Sequence, residues 1–304
     1  MEKSNYPKVS IIFPNYNGGN EPLECLSSVY KLSYPMDKIE VIVIDNNSTD
    51  GSLEQLKVKS EKLKVEGRRL KIIENKENVG FAKAINQGIK LSNGNYIFIT
   101  NDDIVFEKNS LKNMIEYMEN HPEVGIAGGK IFLKDNPKKI ASSGYMMNLW
   151  TGKVYPAPKP NAIKEPHWVQ GCAMLIPKIV LKKLGLLDAR FSHYFEDFDI
   201  ALRAKRSGFS VHYLPNAIFW HGEATTGNKD KKNKYYQWYK NKFRFIVKNL
   251  PPLNILSILL IQFVIITPYR ALVLKDGRFI PFLKGLFWNI IHLTQTLEAR
   301  RNIV

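Results

Sequence analysis

The sequence is poor in cysteine. Cys25 and Cys172 are the only two in 304 residues, too few for a disulfide-stapled scaffold or a cysteine-rich zinc module, and a reducing setting is the expectation. Glycine (19) and proline (16) are too sparse for a collagenous or low-complexity chain, and 44% hydrophobic with 24% charged residues is a globular composition. No Gly-x-Gly-x-x-Gly turn follows the first apolar run, where PNYNGGN stands instead, so a dinucleotide-binding dehydrogenase is a poor reading. The opening MEKSNYPK runs straight into VSIIF and has no signal-peptide layout, so the protein is expected to stay where it is made. Long apolar runs are missing too. The stretch Leu253 to Ile266 would reach only about 21 Å as a helix, against a hydrocarbon core of about 30 Å, and lengthening it would bring Pro268 and Arg270 inside.

Acidic residues are scarce in the tail. From Gly227 to Val304 there are 14 Lys or Arg against 3 Asp or Glu, so most of the net charge of +16 sits there, beside LNILSILLIQFVII and FIPFLKGLFWNIIHL. Basic residues interleaved with aliphatic and aromatic runs suit anionic headgroups and the acyl boundary beneath them, which predicts monotopic attachment to the inner face of a cytoplasmic membrane. Packing of the same helices on the core is the plainer alternative. Nucleic acid is not expected, since a phosphate-binding face has no use for the aliphatic runs.

What is present in the rest is alternation. Apolar, β-rich runs at Val9 to Phe13, Glu40 to Ile44, Lys71 to Glu74, Tyr96 to Thr100 and Val124 to Gly128 are separated by helix-like stretches at about Glu24 to Lys31, from near Thr49, Gly80 to Leu91 and Ser110 to Asn120. This pattern predicts an α/β fold with a mainly parallel sheet flanked by helices. Lys134 to Pro166 reads as long loops or a small antiparallel excursion, Trp168 to Pro177 as a strand, and a helix from about Asp197 stops at Gly208. The expected division is one domain over 1–226, with a nucleotide-binding half of about 1–128 and an acceptor-binding half of about 129–226, and a basic, apolar membrane-associating helical region over 227–304.

Chemistry-bearing residues fall at the ends of these strands, the edge along which open α/β sheets bind ligands. Asp45, Asn46 and Asn47 follow the second strand. Ser48, Thr49 and Asp50 read as helix caps, whereas Asp45 directly after four apolar residues is harder to explain as one. In NVGFAKAINQG, Gly80 opens a helix with Asn86 and Gly88 on its body; small residues let the backbone approach a ligand closely and the positive helix end can face a phosphate, although ordinary capping and tight packing would produce a similar string. Asn101, Asp102 and Asp103 end the YIFIT strand. Adjacent carboxylates there suit a hard divalent ion, Mg²⁺ or Mn²⁺, bridging protein to a nucleotide diphosphate, or else a solvated turn. Glu196, Asp197 and Asp199 open a helix; Asp199 with Arg203 makes an ordinary i,i+4 pair, while Asp197 could take a proton from an acceptor hydroxyl. His221 closes an apolar run and could complete a metal's coordination.

In order and spacing, VSIIFPNYNGG, VIVIDNNSTDGS, ENVGFAKAINQG, ITNDDIVF, GCAMLIPK, YFEDFDIALRAKRSGF and FWHGEATTG resemble the family 2 glycosyltransferases of the GT-A fold, on the rhamnosyltransferase-like branch, over roughly Val9 to Gly227. The resemblance implies that Pro14, Asn15, Asn17, Asp45 and Asn47 hold base and ribose, that Asn78 and Gly80 shape the same pocket, and that Asn101 and Asp102 lie near ribose or sugar. It implies Asp103 and His221 as metal ligands, with Asn101 replacing the first Asp of an Asp-x-Asp motif, and Gly171 and Cys172 beside a sugar. Asp197 would be the base of an inverting transfer and Glu196 its acceptor-binding neighbour. The tail looks like that of relatives that elongate lipid-linked saccharides, so the expected partners are a nucleotide-diphosphate sugar, first dTDP-rhamnose, and a lipid-linked or oligosaccharide acceptor. The competing reading is a catalytically silent nucleotide-sugar-binding scaffold, to which only Asn101 lends support.

Overall fold

The computed structural model describes residues 6–65, 70–222, 231–274 and 277–301. The chain opens with β1 (Val9–Asn15), α1 (Glu21–Val29), β2 (Ile39–Asp45), α2 (Ser52–Val65), β3 (Leu70–Glu74), α3 (Phe81–Leu91) and β4 (Tyr96–Thr100). β5 (Ile104–Phe106), α4 (Ser110–Glu119) and β6 (Val124–Leu133) follow. Short strands β7 (Ile140–Ser142), β8 (Tyr145–Met147) and β9 (Val154–Pro156) lead to β10 (Ala173–Pro177), α5 (Lys178–Leu184), α6 (Glu196–Arg206) and β11 (Ser210–His221). The tail is α7 (Lys231–Asn249), α8 (Pro252–Ile261), the short α9 (Thr267–Tyr269) between π-helical turns at Gln262–Ile266 and Arg270–Leu274, α10 (Phe279–Ile291) and α11 (Leu293–Arg301).

One sheet runs β3-β2-β1-β4-β10-β6-β11-β5, with β7 on β6. The pairings put β3, β2, β1, β4, β6 and β11 in one direction, and β10, β5 and β7 against them. The expected mainly parallel sheet is present, with one antiparallel strand wedged into its centre. Both faces are covered, as near-continuous apolar runs such as EVIVID require. Ile11 and Phe13 pack with Leu26, Leu56 and Leu111 on one side. Ile12, Ile42 and Ile99 pack with Ala82, Ile85, Val180 and Ile200 on the other.

Four expectations change. β10 begins at Ala173, because Trp168 to Cys172 is a loop whose turn is closed by Ala173 N–H donating to the Gln170 carbonyl (3.2 Å). β5 and the long β11 lie outside the expected strands. Gly88 faces no ligand: a Cβ there would lie 2.4 Å from Ile12, so its bare backbone lets α3 sit on the sheet. Asn86 likewise serves the fold, exchanging two hydrogen bonds with the backbone of Leu187 (2.7 and 3.0 Å).

The tail is not one kind of region. α7 belongs to the core, with Phe245 and Ile246 buried among Phe195, Phe198 and Ile200. Buried ion pairs fasten it to the segment before and within α6: Arg244 and Lys248 meet Asp188 at 2.9 and 3.0 Å, and Lys248 meets Asp199 at 2.7 Å. The Asp199–Arg203 pair is present at 3.0 Å, and the link to α7 adds a role that i,i+4 spacing could not reveal. Beyond α7, Leu253, Leu256, Leu260 and Val264, then Ile280, Leu283, Phe287 and Ile290, recur at helical spacing and are all exposed. Among the described residues, no helix is long and apolar enough to cross a membrane. The expected domain boundary at 226/227 and the residues GEATTG beyond Gly222 lie outside the described residues.

Candidate active site

Antiparallel insertion of β10 gathers the site. Because β10 runs against β4, its first residue, Ala173, lies opposite Thr100 at the end of β4, and the Thr100 hydroxyl donates to the Cys172 carbonyl (2.7 Å). β5 leaves the same edge, with Ile104 opposite His221 at the end of β11. Three segments far apart in sequence, Asn101–Asp103, Gly171–Cys172 and His221, therefore meet at one edge. With Glu196 and Asp197 they line a cavity of about 520 Å³.

Asp197 is held at the start of α6. One carboxylate oxygen accepts from Gly171 N–H (3.1 Å) and the other from its neighbour Phe198 N–H (2.8 Å). Burial pushes its pKa up to about 6, against those two hydrogen bonds, which favour the charged form. Glu196 is buried and its Oε2 has no hydrogen-bond partner. Burial and the charge of Asp197 push it well above the usual carboxylate range. Of the two adjacent carboxyls, Asp197, with two backbone N–H donors on its oxygens, is the more readily ionised.

The turn that delivers this pair is strained. Tyr194 and Phe195, neither of them glycine, have φ of 73° and 72°, a conformation that costs about 1–3 kcal/mol per residue and persists only where surroundings impose it. The surroundings here come from α7. Asn241 Nδ2 donates to the carbonyls of His193 (2.5 Å) and Tyr194 (3.2 Å), and Lys240 Nζ donates to the Ser192 hydroxyl, which in turn donates to Gln237.

In the same cavity as Asp197, Asp103 Oδ1 lies 3.1 Å from His221 Nε2, and Asn101 Nδ2 lies 3.2 Å from the same nitrogen. Among the described residues, no three His, Cys, Asp or Glu side chains form a metal cage. One carboxylate and one imidazole facing an open cavity fit an ion whose remaining ligands are water and substrate phosphates, the usual arrangement for Mg²⁺ and Mn²⁺. Asp102 points away from this pair. A Cβ on Gly18 would sit 2.6 Å from Asp102 Oδ2 and 2.8 Å from Asn15 Oδ1, so the carboxyl packs against the bare backbone after β1. Burial first, then the charge of Asp103, raises the Asp102 pKa to about 7.

The remaining expected residues form a second cluster. Asn15 is buried and its Nδ2 donates to Asp45 (2.7 Å), Ser48 (3.0 Å) and Ser52 (2.9 Å), while its Oδ1 has no hydrogen-bond partner. Asp45, fully buried, also accepts from Ser48 N–H (2.9 Å) and Ser48 Oγ (2.6 Å). It thus caps the turn after β2, a job its apolar run gave no hint of, and both oxygens are spent inside the protein. Asp50 caps α2 as expected. Asn17 accepts from Thr49 N–H (2.8 Å), Asn47 is exposed at φ 65°, and Pro14 is half-buried beside them. Asn78 caps Gly80 N–H (3.0 Å), and Gly80 (φ 82°) lies against the Ser192 carbonyl. Pro14, Asn15, Asn17, Asp45, Asn47, Asn78 and Gly80 do not line the cavity beside Asp197.

Sequence reasoning missed the aromatic wall. Phe81, Tyr145, Trp168 and Tyr194 line the cavity, and Trp168 stacks on Phe198 with ring centroids 4.0 Å apart. The tail supplies Tyr235, Trp238 and Tyr239, with Lys234 and Arg278. The run KYYQWY carried the signal, four aromatics in six residues of an otherwise basic segment.

The profile of glycosyl transferase family 2 matches residues 10–184. The chain belongs to that family. An uncharacterised glycosyltransferase of Haemophilus influenzae is 24% identical over 84% of this chain and 81% of its own. A Methanococcus voltae dolichyl N-acetyl-alpha-D-glucosaminyl phosphate 3-beta-D-2,3-diacetamido-2,3-dideoxy-beta-D-glucuronosyltransferase is 27% identical over 69% of this chain and 65% of its own. Several relatives are longer, and the chain spans 52% and 59% of those from Bacillus subtilis and Rickettsia typhi. The solved mannosyltransferase of Pyrobaculum calidifontis, in complex with GDP-Man and Mn²⁺, superposes with a TM-score of 0.61 at 18% identity over 96% of this chain and 76% of its own. The fold of this family 2 glycosyltransferase is GT-A.

Proposed function

We propose that this protein is an inverting glycosyltransferase that moves a sugar, first candidate rhamnose from dTDP-rhamnose, from a nucleotide diphosphate to a hydroxyl of a lipid-linked saccharide at the inner face of the cytoplasmic membrane. The observation that carries the reading is Asp197, poised as a base by two backbone donors, sharing one cavity with the Asp103–His221 pair. Asp197 takes the proton of the acceptor hydroxyl. That oxygen forms a bond to the anomeric carbon as the bond from carbon to the diphosphate oxygen breaks, and the electron pair leaves with the nucleotide. No covalent enzyme intermediate is needed. Glu196, protonated, can donate a hydrogen bond to the acceptor, and the aromatic wall offers flat faces to sugar rings.

Asp103 and His221 would hold Mg²⁺ or Mn²⁺, which when bound neutralises charge on the departing diphosphate. Asn15, Asn17 and Asn47 frame the nucleotide side, with Asp45 fixing Asn15 and the turn after β2. The relative that acts on a dolichyl-phosphate sugar and the neighbour bound to GDP-Man and Mn²⁺ support a lipid-linked acceptor and a metal, and the exposed apolar stripe of α8 supports a membrane surface.

The test is a thermal-shift panel of dTDP-, UDP- and GDP-sugars with and without Mn²⁺, since a ligand that binds only the folded chain raises its melting temperature. Stabilisation by one nucleotide class, larger with metal, is the expected result. Stabilisation by none would overturn the glycosyl-transfer reading.

A further inference from the structure

A second cavity, of about 1140 Å³, lies on the tail where α7 meets α10. Its cations are Lys232, Arg270 and Lys284, and no carboxylate lines it among the described residues. Its apolar wall is Phe279, Ile280, Phe287 and Ile291, all exposed. Exposed apolar surface beside three cations of the described residues is complementary to an amphiphile with an anionic head.

The groove also shares a wall with the active-site cavity. Along α7, Lys232, Asn233 and Tyr236 face the groove, while Lys234, Tyr235, Trp238 and Tyr239 face the cavity. Before and within α10, Gly277 and Phe279 face the groove and Arg278 faces the cavity, its guanidinium 4.4 Å from the centre of the Tyr235 ring. The groove and the cavity that holds Asp197 are therefore separated by α7 and the start of α10.

We propose that this groove seats the phosphate and the proximal apolar chain of the acceptor lipid, so that the sugar attached to the phosphate enters the aromatic cavity beside Asp197. The proposal rests on the lipid-linked acceptor reading of the active site and adds its address: the phosphate among Lys232, Arg270 and Lys284, the chain along Phe279, Ile280 and Phe287. The occupant is the acceptor's own lipid and not the bulk bilayer, which the outward stripe of α8 meets separately.

The experiment is calorimetric titration of the full chain with farnesyl monophosphate, with farnesol, inorganic phosphate and vesicles containing phosphatidylglycerol as comparisons. Lys284→Glu and Ile280→Asp probe the two halves of the groove, and both side chains are exposed, so neither change threatens the fold. The expected result is saturable binding of farnesyl monophosphate, with farnesol and phosphate each weaker by about tenfold or more and Lys284→Glu weakening the lipid phosphate about tenfold. Equal affinity for farnesol, or affinity unchanged in both variants, would overturn the proposal. Binding to the anionic vesicles alone would overturn it too, making the groove a bilayer contact. Nucleotide-sugar stabilisation, measured on the same samples, is expected to be unchanged by Lys284→Glu. Its absence in the unaltered chain would strike the glycosyl-transfer reading, whereas failure of farnesyl monophosphate to bind a donor-competent chain would strike the groove alone.

Discussion

Asn241→Ala tests whether the tail positions the base. Asn241 sits on α7, fully buried, and its amide donates to the carbonyls of His193 and Tyr194. The turn it grips holds two non-glycine residues at positive φ, so about 2–6 kcal/mol of backbone strain is stored immediately before Glu196 and Asp197. Each lost hydrogen bond is worth about 0.5–1.5 kcal/mol net, and with the small cavity left behind the change costs about 2–4 kcal/mol of stability. For a chain of this size that lowers the melting temperature by roughly 3–6 °C. Relaxation of the turn also depopulates the arrangement in which Asp197 faces the acceptor. Each 1.4 kcal/mol of that penalty is about tenfold, so kcat falls about ten- to a hundredfold with donor KM little changed. Urea unfolding and steady-state transfer below the lowered melting temperature read the two effects separately. Full stability loss with kcat within about twofold of the parent would refute the reasoning. It would mean that packing of Phe195 on Trp238 and Phe245 holds the turn without Asn241.

Asp197→Asn keeps the shape of the side chain and removes the base; turnover is expected to fall by about 10²–10⁴ while nucleotide-sugar stabilisation in thermal shift is retained, and unchanged turnover would remove Asp197 from its role. Transfer should rise with pH through about 6, where Asp197 loses its proton, and then level off. Because that folded pKa is raised, the protonated carboxyl favours the folded state at low pH, and this contribution is lost as pH rises through about 6; a pH profile flat from 5 to 8 would count against the assignment. Asp188 behaves in the opposite sense. Burial alone would raise its pKa, but Lys248 and Arg244 override that and hold it well below the usual range, so its stabilisation is present above the ordinary value of about 3.9 and is lost as pH falls below it. Asp188→Asn, which leaves buried cations underpaired, should cost about 3–5 kcal/mol in urea unfolding. His221→Ala should abolish the extra stabilisation that Mn²⁺ adds to a bound nucleotide sugar while leaving the metal-free part intact, and an undiminished Mn²⁺ increment would rule it out as a ligand.

Much of the first half of the domain was legible because parallel strands buried on both faces spell themselves as unbroken apolar runs. VIVID and YIFIT are β2 and β4 to within a residue or two, and the polar residues after them fall at the carboxyl edge of the sheet. The second half was less legible, because its assembly depends on direction as well as period. Nothing in the composition of AMLIP says that it runs antiparallel, yet that reversal places Gly171 within reach of Asp197. Local patterns also mislead where one residue type has two uses. Gly88 and Asn86 look like ligand contacts and are packing devices, and Asp45 looks like a ligand contact and caps a turn.

The tail was the hardest part to read, because its two tasks are written in the same residues. Lysine and arginine among aliphatics suggest a surface for anionic lipid, and on α8 and α10 the apolar side chains do point outward. On α7 the same residue types turn inward, where Arg244 and Lys248 neutralise Asp188 and Asp199, and Asp199 lies only two positions beyond the base. Burying those cations is costly unless carboxylates meet them, and the partners lie more than forty residues earlier in the chain, beyond any local pattern. The consequence is mechanical as well as energetic. One helix grips the strained turn before Glu196 through Asn241, walls the cavity with Trp238 and Tyr239, and carries Lys232 and Tyr236 on the second groove. Displacing α7 would therefore disturb the base and the acceptor wall together.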